Sequence, residues 1–173
     1  MSTGAGDDER SEDRPPAALV DRLAFLLKQA QLRLAELTGP ALAPYGIDGR
    51  ELAVLTVLAG EESLSQQQAA RRLAVDRTTM VALLDGLEGK GLVERRPHPR
   101  DRRRNIVDLT AAGRETLGRA TRVSDDVERR FLAPLGEAGA QRLKDALHVL
   151  ISAAAGRHAG TGATEQRSDH APE

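Results

Sequence analysis

Two helix-start signals lie close together in the middle of this sequence, and a change of periodicity follows them directly. Ser65 and Gln68 have the spacing of a capping box, and Asp76 is a second N-cap residue. Two short helices are therefore predicted on either side of a tight connection at residues 74–76. Gly91 suits the left-handed position beyond the end of the second helix. The apolar residues that share one face of this second helix are Met80, Leu83, Leu84 and Leu87.

The segments LVERR and NIVDL, which follow, have the features of short β-strands, with Val107 and Leu109 alternating onto one face. They are predicted to pair as a hairpin whose tip is PHPRDRR. Between Arg71 and Arg104 there are 10 Lys and Arg residues against 5 Asp and Glu, whereas the rest of the chain has 15 against 21. Such an asymmetry indicates a surface that faces a polyanion, on an otherwise acidic body.

Helical spacing also precedes this region. A long first helix is predicted, with Pro40 and Pro44 breaking it. Asp48 and Glu51 form an N-cap pair for a second helix, which Gly60 ends. The apolar stripe of the first helix consists of Leu19, Leu23, Leu26, Ala30, Leu34 and Leu37.

After the hairpin, Thr110 is predicted to cap a long helix that runs to about Phe131 and ends at Pro134, and one more helix follows. The apolar positions of the last helix are Leu143, Leu147, Leu150 and Ala154. With three aromatic residues in the whole chain, the core must consist of Leu, Val and Ala, which favours packed helices. The predicted fold class is therefore mainly α with a small β-hairpin.

Several classes of function are disfavoured. There is no cysteine, so thiolate chemistry and disulfides are excluded. No catalytic pair, phosphate-binding glycine loop or metal-ligand spacing is visible, so we expect neither an enzyme nor a metal or cofactor. Residues 1–15 and 156–173 have the polar composition of disordered segments. The N-terminus has no apolar stretch of a secretion signal and no segment approaches the ~18–20 apolar residues of a membrane span, so a cytoplasmic location is expected.

Two capped helices, a short turn and an arginine-rich hairpin together describe a winged helix-turn-helix, which suits double-stranded DNA. The segment DRRRNIVDLTAAG resembles the wing signature of the MarR family of bacterial transcription regulators. The residues that match are Asp101, Arg103, Val107, Leu109, Thr110 and Gly113. DRTTMVALLDGLEGKGLVERR is similar to the family's recognition helix and LAPYGIDGRELAVLTVL to its second helix. The resemblance covers roughly residues 17–155.

The resemblance implies a domain over residues 16–155, with the winged helix-turn-helix at 48–110. Its recognition helix would place Arg77, Thr78, Thr79, Val81 and Ala82 at the major groove. Arg77 could bind a guanine with two hydrogen bonds, and the threonines could contact a phosphate or a thymine methyl. Thr78 or Thr79 could instead only cap the helix. Val81 and Ala82 either contact thymine methyls or mean fewer hydrogen bonds to bases.

For the wing, the resemblance implies that Arg103 reaches the minor groove while Asp101 holds it by ion pairing. Asp101 could equally cap a turn after Pro99. Arg100, Arg102 and Arg104 are expected to meet phosphates or to remain solvated, and Arg95 and Arg96 are also assigned to the DNA-binding wing. Phosphate contacts from the supporting helix are predicted for Ser65, Gln66, Gln67, Arg71 and Arg72.

One recognition helix reads too few bases to find a genomic site, so a homodimer on a palindromic operator is expected. By resemblance, residues 16–43 and 111–155 form the dimerisation helices. The apolar residues assigned to this role, some of which must be intrachain core, are Leu19, Leu23, Leu26, Leu117, Val127, Phe131, Leu143, Leu147 and Leu150. The resemblance also implies a site for a small, often phenolic or aromatic, ligand. Its candidate residues are Phe25, Gln29, Tyr45 and Arg50, of which Phe25 and Tyr45 could simply be packing residues.

The sequence and the resemblance together predict a nucleoid-associated repressor. Either such a ligand releases it from DNA by changing the half-site spacing, or it has no effector at all. An alternative of another class remains: a winged helix used as an architectural or protein-interaction module, whose arginines meet an acidic partner. The recognition helix, wing and dimerisation helices together favour sequence-specific DNA, because an interaction module would not need all three.

Overall fold

The computed structural model describes residues 17–60, 64–98 and 101–159, with the backbone alone at residues 17–18, 98, 101–105 and 154–159. The predicted acidic arm, Arg100 and most of the predicted tail lie outside the described residues. Over these residues the helices are α1 (Ala17–Val20), α2 (Leu23–Leu42), α3 (Gly49–Ala59), α4 (Gln66–Arg72), α5 (Arg77–Gly89), α6 (Ala111–Leu132) and α7 (Gly136–Ala159). The strands are β1 (Leu64–Ser65), β2 (Val93–His98) and β3 (Asp101–Leu109).

The predicted helix starts are confirmed by hydrogen bonds to backbone amides. The Asp48 carboxylate accepts from the amides of Arg50 and Glu51, both at 2.8 Å, while Glu51 accepts from the Asp48 amide at 3.0 Å. Ser65 and Gln68 form the second capping box, and Asp76 caps α5. These side chains satisfy amides that the first helical turn leaves without a backbone partner.

The N-terminal helix differs from its prediction in two ways. The backbone of Arg22 is extended, so Leu19 lies on the short α1 rather than on the same helix as Leu23. Pro40 does not break α2 but lies inside its last turn. A proline so close to the C-terminus removes one hydrogen bond, and burial of Leu42, which is fully inaccessible, stabilises the turn that follows.

The sheet has three antiparallel strands in the order β1–β3–β2, one more than predicted. Leu64 of β1 pairs with Val107 of β3, and Val93 of β2 pairs with Leu109. The register of β2 and β3 shifts between Pro97 and His98. As predicted from their alternation, Val107 and Leu109 both face the core. This arrangement of helices and a small sheet is a winged helix.

One apolar cluster joins the helix-turn-helix to the sheet, and it consists mainly of Leu, Val and Ala. The α5 residues at its centre are Met80, Leu84 and Leu87, none of which is accessible to solvent. They share the cluster with Val54 and Leu55 of α3 and with the strand residues Val93, Val107 and Leu109. Helix α5 is therefore held on the body of the fold by its inner face, as its apolar spacing predicted.

The chain forms two compact units, which divide between Glu128 and Arg129 inside α6. Each unit exposes large apolar side chains. In the first unit these are Leu19, Val20, Leu23, Leu26, Leu27, Leu32 and Leu37, and in the second they are Leu135, Leu143, Val149, Leu150 and Ile151. Within the part of the chain that the structure describes, no helix is long and apolar enough to cross a bilayer.

Candidate nucleic-acid interface

The first turn of α5 presents the side chains predicted to enter a DNA groove. Arg77 and Thr78 are exposed, as is Ala82 one turn later, whereas Thr79 and Val81 are half-buried. Thr78 and Ala82 lie opposite the fully buried face that contains Met80, Leu84 and Leu87, and Arg77 is the first residue of the helix. The helix thus projects its N-terminal polar residues outwards from a fixed support.

Asp76 organises this turn. Its carboxylate accepts hydrogen bonds from the Thr79 hydroxyl at 2.6 Å and from the Thr79 amide at 2.9 Å. These bonds hold the pKa of Asp76 below its ordinary value, because they favour the ionised form. The Thr79 hydroxyl therefore serves the cap, one of the two roles open to it, while Thr78 keeps an exposed side chain.

The supporting helix α4 places its polar residues on the same lobe. Gln67 and Arg71 are exposed, Arg72 is exposed with a partner within the chain, and Gln66 is half-buried. The Ser65 hydroxyl lies 2.7 Å from Gln68 Oε1 and accepts from the Gln68 amide, so it is occupied by the capping box.

The turn between α4 and α5 contains a strained residue. Ala74 has a φ of 50°, in the left-handed region that disfavours side chains with a Cβ atom. The Val75 amide donates to the Ala70 carbonyl at 3.1 Å, which closes the turn onto α4. This geometry fixes the direction in which α5 leaves the turn.

The hairpin of β2 and β3 forms the wing. Arg95 makes ion pairs with Asp85 and Glu88 of α5, and Arg96 pairs with Glu94 and with Asp108 across the hairpin. Burial lowers the pKa of Arg95, but the Asp85 and Glu88 carboxylates have the larger effect, so that the pKa is raised above its ordinary value. Both guanidinium groups are thus engaged within the chain, and their role as DNA contacts stays a prediction.

For the remaining wing residues the structure describes the course of the backbone. Asp101, Arg102, Arg103 and Arg104 lie in β3, directly after the hairpin tip. The other end of this strand carries Val107 and Leu109 into the core, so the wing signature joins a buried anchor to an arginine-rich end.

A close backbone approach anchors the wing to α6. The Thr110 hydroxyl donates to the Gly91 carbonyl at 2.7 Å and accepts from the Gly113 amide at 3.0 Å, which makes it the predicted cap of α6. A Cβ atom added at Gly113 would lie 1.9 Å from the Leu92 carbonyl oxygen. The glycine of the wing signature is therefore required by packing.

A cleft of about 980 Å³ lies in the first unit, beside the recognition helix. Arg50 lines it, whereas the other described candidates, Phe25, Gln29 and Tyr45, do not; Tyr45 packs against the core cluster. Residues that were not predicted here are Gln31, Leu34, Ala35, Thr38, Gly39, Asp48, Gly49, Leu52, Ala53, Leu73, Ala74, Val75, Asp76, Thr79, Leu83 and Ser124. The cleft thus reaches the turn and the N-cap of α5.

The residues predicted for dimerisation differ from one another in how far they are buried in the single chain. Leu19, Leu23, Leu26, Leu143 and Leu150 are exposed in the single chain. Phe131 and Leu147 are half-buried. Val127 is only 3% exposed and Leu117 packs against the core cluster, so these two residues contribute to the chain's own packing.

Comparison with known proteins agrees with this geometry. A sequence profile of the MarR family matches residues 45–104. The transcriptional regulator HosA of Escherichia coli O111:H- is 32% identical over 85 residues, which cover 49% of this chain and 63% of HosA, so the match spans less than two thirds of that relative.

Two solved structures extend the similarity to most of the chain. The transcriptional repressor CouR bound to a 23-mer DNA duplex is 34% identical, with a TM-score of 0.71 over 83% of this chain and 99% of that one. CouR from Rhodococcus jostii RHA1 bound to p-coumaroyl-CoA is 28% identical, with a TM-score of 0.69 over 78% of this chain and 95% of that one.

Proposed function

This chain belongs to the MarR family of transcriptional regulators, and we propose that it is a repressor that binds a palindromic operator in double-stranded DNA as a homodimer. The observation that carries the proposal is the two-faced recognition helix α5. Its inner face is inaccessible to solvent, while Arg77 and Thr78 project from its first turn. A helix presented in this way can enter the major groove without rearrangement.

Within this proposal, Arg77 donates two hydrogen bonds to a guanine, and Ala82 and the accessible part of Val81 contact thymine methyl groups. Thr78 contacts a phosphate or a thymine methyl. Gln67 and Arg71 on α4 lie near phosphates, where they add affinity without sequence preference. Asp76, as the N-cap, holds the first turn of α5 in its helical conformation while these contacts form.

The wing supplies a second set of contacts. The wing arginines Arg100 and Arg102–Arg104 meet the minor groove and the flanking phosphates, with Arg103 as the groove residue. Negative potential is concentrated in a narrow minor groove, which attracts arginine more strongly than the wider groove does. A minor-groove contact beside the recognition helix would lengthen the site that each subunit reads.

The exposed apolar side chains support a homodimer. Leu23 and Leu26 on α2, and Leu143 and Leu150 on α7, retain at least a third of their surface in the single chain. Burial of one such side chain contributes about 1.5–3 kcal/mol, so their exposure in an isolated chain is unfavourable. A second copy that covers them would present two recognition helices to two half-sites, and would act on the DNA of the nucleoid.

The cleft beside α5 is the proposed ligand site. Its walls are mainly apolar, with Arg50 as a cation for the acidic group of an aromatic or phenolic acid derivative; the Asp48 and Asp76 carboxylates that also line it are engaged as helix caps. Its walls also include Ala74, Asp76 and Thr79, so an occupant would press on the turn that orients α5. Ligand binding is therefore expected to weaken operator binding by changing the direction of the recognition helix.

Selection from random duplex DNA by the purified protein, followed by titration at several salt concentrations, tests the proposal. A palindrome with half-site centres about 10–11 base pairs apart, bound ~10³-fold more tightly than random DNA, is expected. If no motif is enriched and binding is lost steeply as salt rises, only a basic surface remains. An architectural or protein-interaction module would then explain the fold better.

A further inference from the structure

Arg95 joins the base of the wing to the recognition helix. It lies in β2 opposite Val107, and its side chain is only 25% exposed. One terminal nitrogen of its guanidinium contacts the Asp85 carboxylate and the other contacts Glu88. The Arg95 amide also donates to Glu88 Oε1 at 3.3 Å. Side chain and backbone of one strand residue are thus both bound to α5.

The spacing of the two carboxylates suits this arrangement. Asp85 and Glu88 are three residues apart on α5, so they lie on the same face of the helix. A planar guanidinium that is held at both terminal nitrogens cannot rotate freely, unlike a lysine ammonium held at one point. The contact therefore restricts the angle between β2 and α5 as well as their distance.

The charges argue against a direct DNA contact by Arg95. The cluster of Arg95, Asp85 and Glu88 carries a net charge of about −1 at neutral pH, because two carboxylates share one guanidinium. Such a cluster does not attract a phosphate. Two acidic side chains on the lobe proposed to face DNA oppose binding electrostatically. Their presence there therefore indicates a role other than contact with DNA.

We infer that Arg95 is a positioning residue, which sets the placement of the wing relative to the recognition helix through Asp85 and Glu88. The inference rests on the proposed function, since it concerns how two DNA-reading elements are held in register. It assigns to both acidic residues a role in operator recognition without any contact to DNA.

The double variant Asp85→Asn/Glu88→Gln gives the sharpest test, because the two explanations predict opposite signs. Removal of two negative charges would by itself tighten binding to DNA. Loss of the clamp is expected to weaken binding to the selected operator by about 2- to 30-fold, the range of coupling effects for residues that do not touch the ligand. Binding to random DNA should stay equal or become tighter. Glu115→Gln is the matched control, because it neutralises an exposed carboxylate paired with Arg119 on α6 and should leave the operator affinity unchanged.

Arg95→Lys and Arg95→Ala extend the test. Lysine keeps the charge but engages one carboxylate at a time, so operator affinity should fall while the salt dependence of binding is retained. Loss of a phosphate contact would instead reduce the slope of log K against log salt by about 1. Tighter operator binding by Asp85→Asn/Glu88→Gln, or a reduced slope in Arg95→Ala, would overturn the inference.

Amide hydrogen exchange measures the clamp without DNA. Faster exchange at Arg95 and along β2 is expected in Asp85→Asn/Glu88→Gln than in the wild type, with β1 unchanged. Unchanged exchange along β2 would overturn the inference even if operator binding were weakened. If the wild type selects no operator but the exchange effect appears, the proposed function fails while the clamp stands, so the two failures are distinguishable.

Discussion

The Lys90 ammonium lies 2.7 Å from each carboxylate oxygen of Glu51, and it thereby ties the end of the recognition helix to the start of α3. Glu51 is buried, and the same carboxylate closes the capping box with Asp48. Gly86 of α5 lies beside it: a Cβ atom there would make an ordinary van der Waals contact, 3.6 Å from Glu51 Oε1. One acidic side chain thus serves both a helix cap and the connection of two helices.

Lys90→Met is expected to lower the free energy of unfolding by about 1–3 kcal/mol. It leaves the buried Glu51 carboxylate without its cation, and the loss is smaller than for a fully buried pair because Lys90 is half exposed. Urea unfolding at fixed protein concentration measures the change. Arg119→Met, which breaks an exposed pair with Glu115, should cost no more than about 0.5 kcal/mol. Equal losses in the two variants would contradict the special role of Glu51.

Gly113→Ala should destabilise the fold by about 2–4 kcal/mol or more, because its Cβ atom would overlap the Leu92 carbonyl oxygen and the backbone must move. Thermal and urea unfolding measure the effect. Gly118→Ala, on the same helix with open space around it, is the matched control and should stabilise the protein by about 0.5–1 kcal/mol. A stabilising Gly113→Ala would show that the contact between the wing and α6 is looser than described.

The lowered pKa of Asp76 predicts that the stability of the fold depends on pH in the acid range. Its pKa is lowered in the folded state by the Thr79 hydrogen bonds, so its stabilising effect is complete above the ordinary value of 3.8 and is lost as the pH falls through the lower folded value. Asp76→Asn should therefore reduce the melting temperature at pH 7 and flatten its decline below about pH 4. Melting curves of both proteins between pH 2 and pH 7 test this, and parallel curves throughout would contradict it.

How much of the fold could be predicted from the sequence depends on how far apart the interacting residues are along the chain. The capping pairs Asp48/Glu51 and Ser65/Gln68 involve residues three positions apart, so their pattern alone identified the helix starts. β1 was not predicted, because two residues form a strand only where β3, some forty positions later, provides the partner. Likewise, α2 continues through Pro40 to Leu42, which is buried in a core that no local pattern shows.

In the candidate site, too, contacts between residues close in sequence could be predicted and those between distant residues could not. The outward position of Thr78 and Ala82 follows from helical spacing relative to Met80 and Leu84. Arg77 has the spacing of the buried face but is exposed at the first position of α5. The partners of Arg95 were visible only as charges, since the turn after α5 decides which carboxylates it meets. Likewise, the cleft combines residues of α2, α3, α5 and α6, and no local pattern joins them.

Arg77→Ala should weaken binding to the selected operator by ~1–3 kcal/mol and relax the preference at one position of each half-site, as expected for a lost guanine contact. Fluorescence titration against the operator and its single-base variants measures both effects. Arg119→Ala removes an equal charge from α6 and should leave the base preference unchanged. A uniform loss across all sequences would instead identify Arg77 as a phosphate contact.

Leu26→Asp tests the dimer. Leu26 is 48% exposed on α2, and a carboxylate at that position would be buried without a partner if a second subunit covers this face. Sedimentation at micromolar concentrations should show a monomer for Leu26→Asp and a dimer for the wild type. Lys28→Asp, two positions along the same helix and therefore on another face, should remain dimeric. The monomeric variant should retain its helical circular dichroism and yet bind the palindrome no better than a single half-site, since one recognition helix then acts alone. A dimeric Leu26→Asp protein would place the interface elsewhere, with the exposed apolar residues of α7 as the alternative.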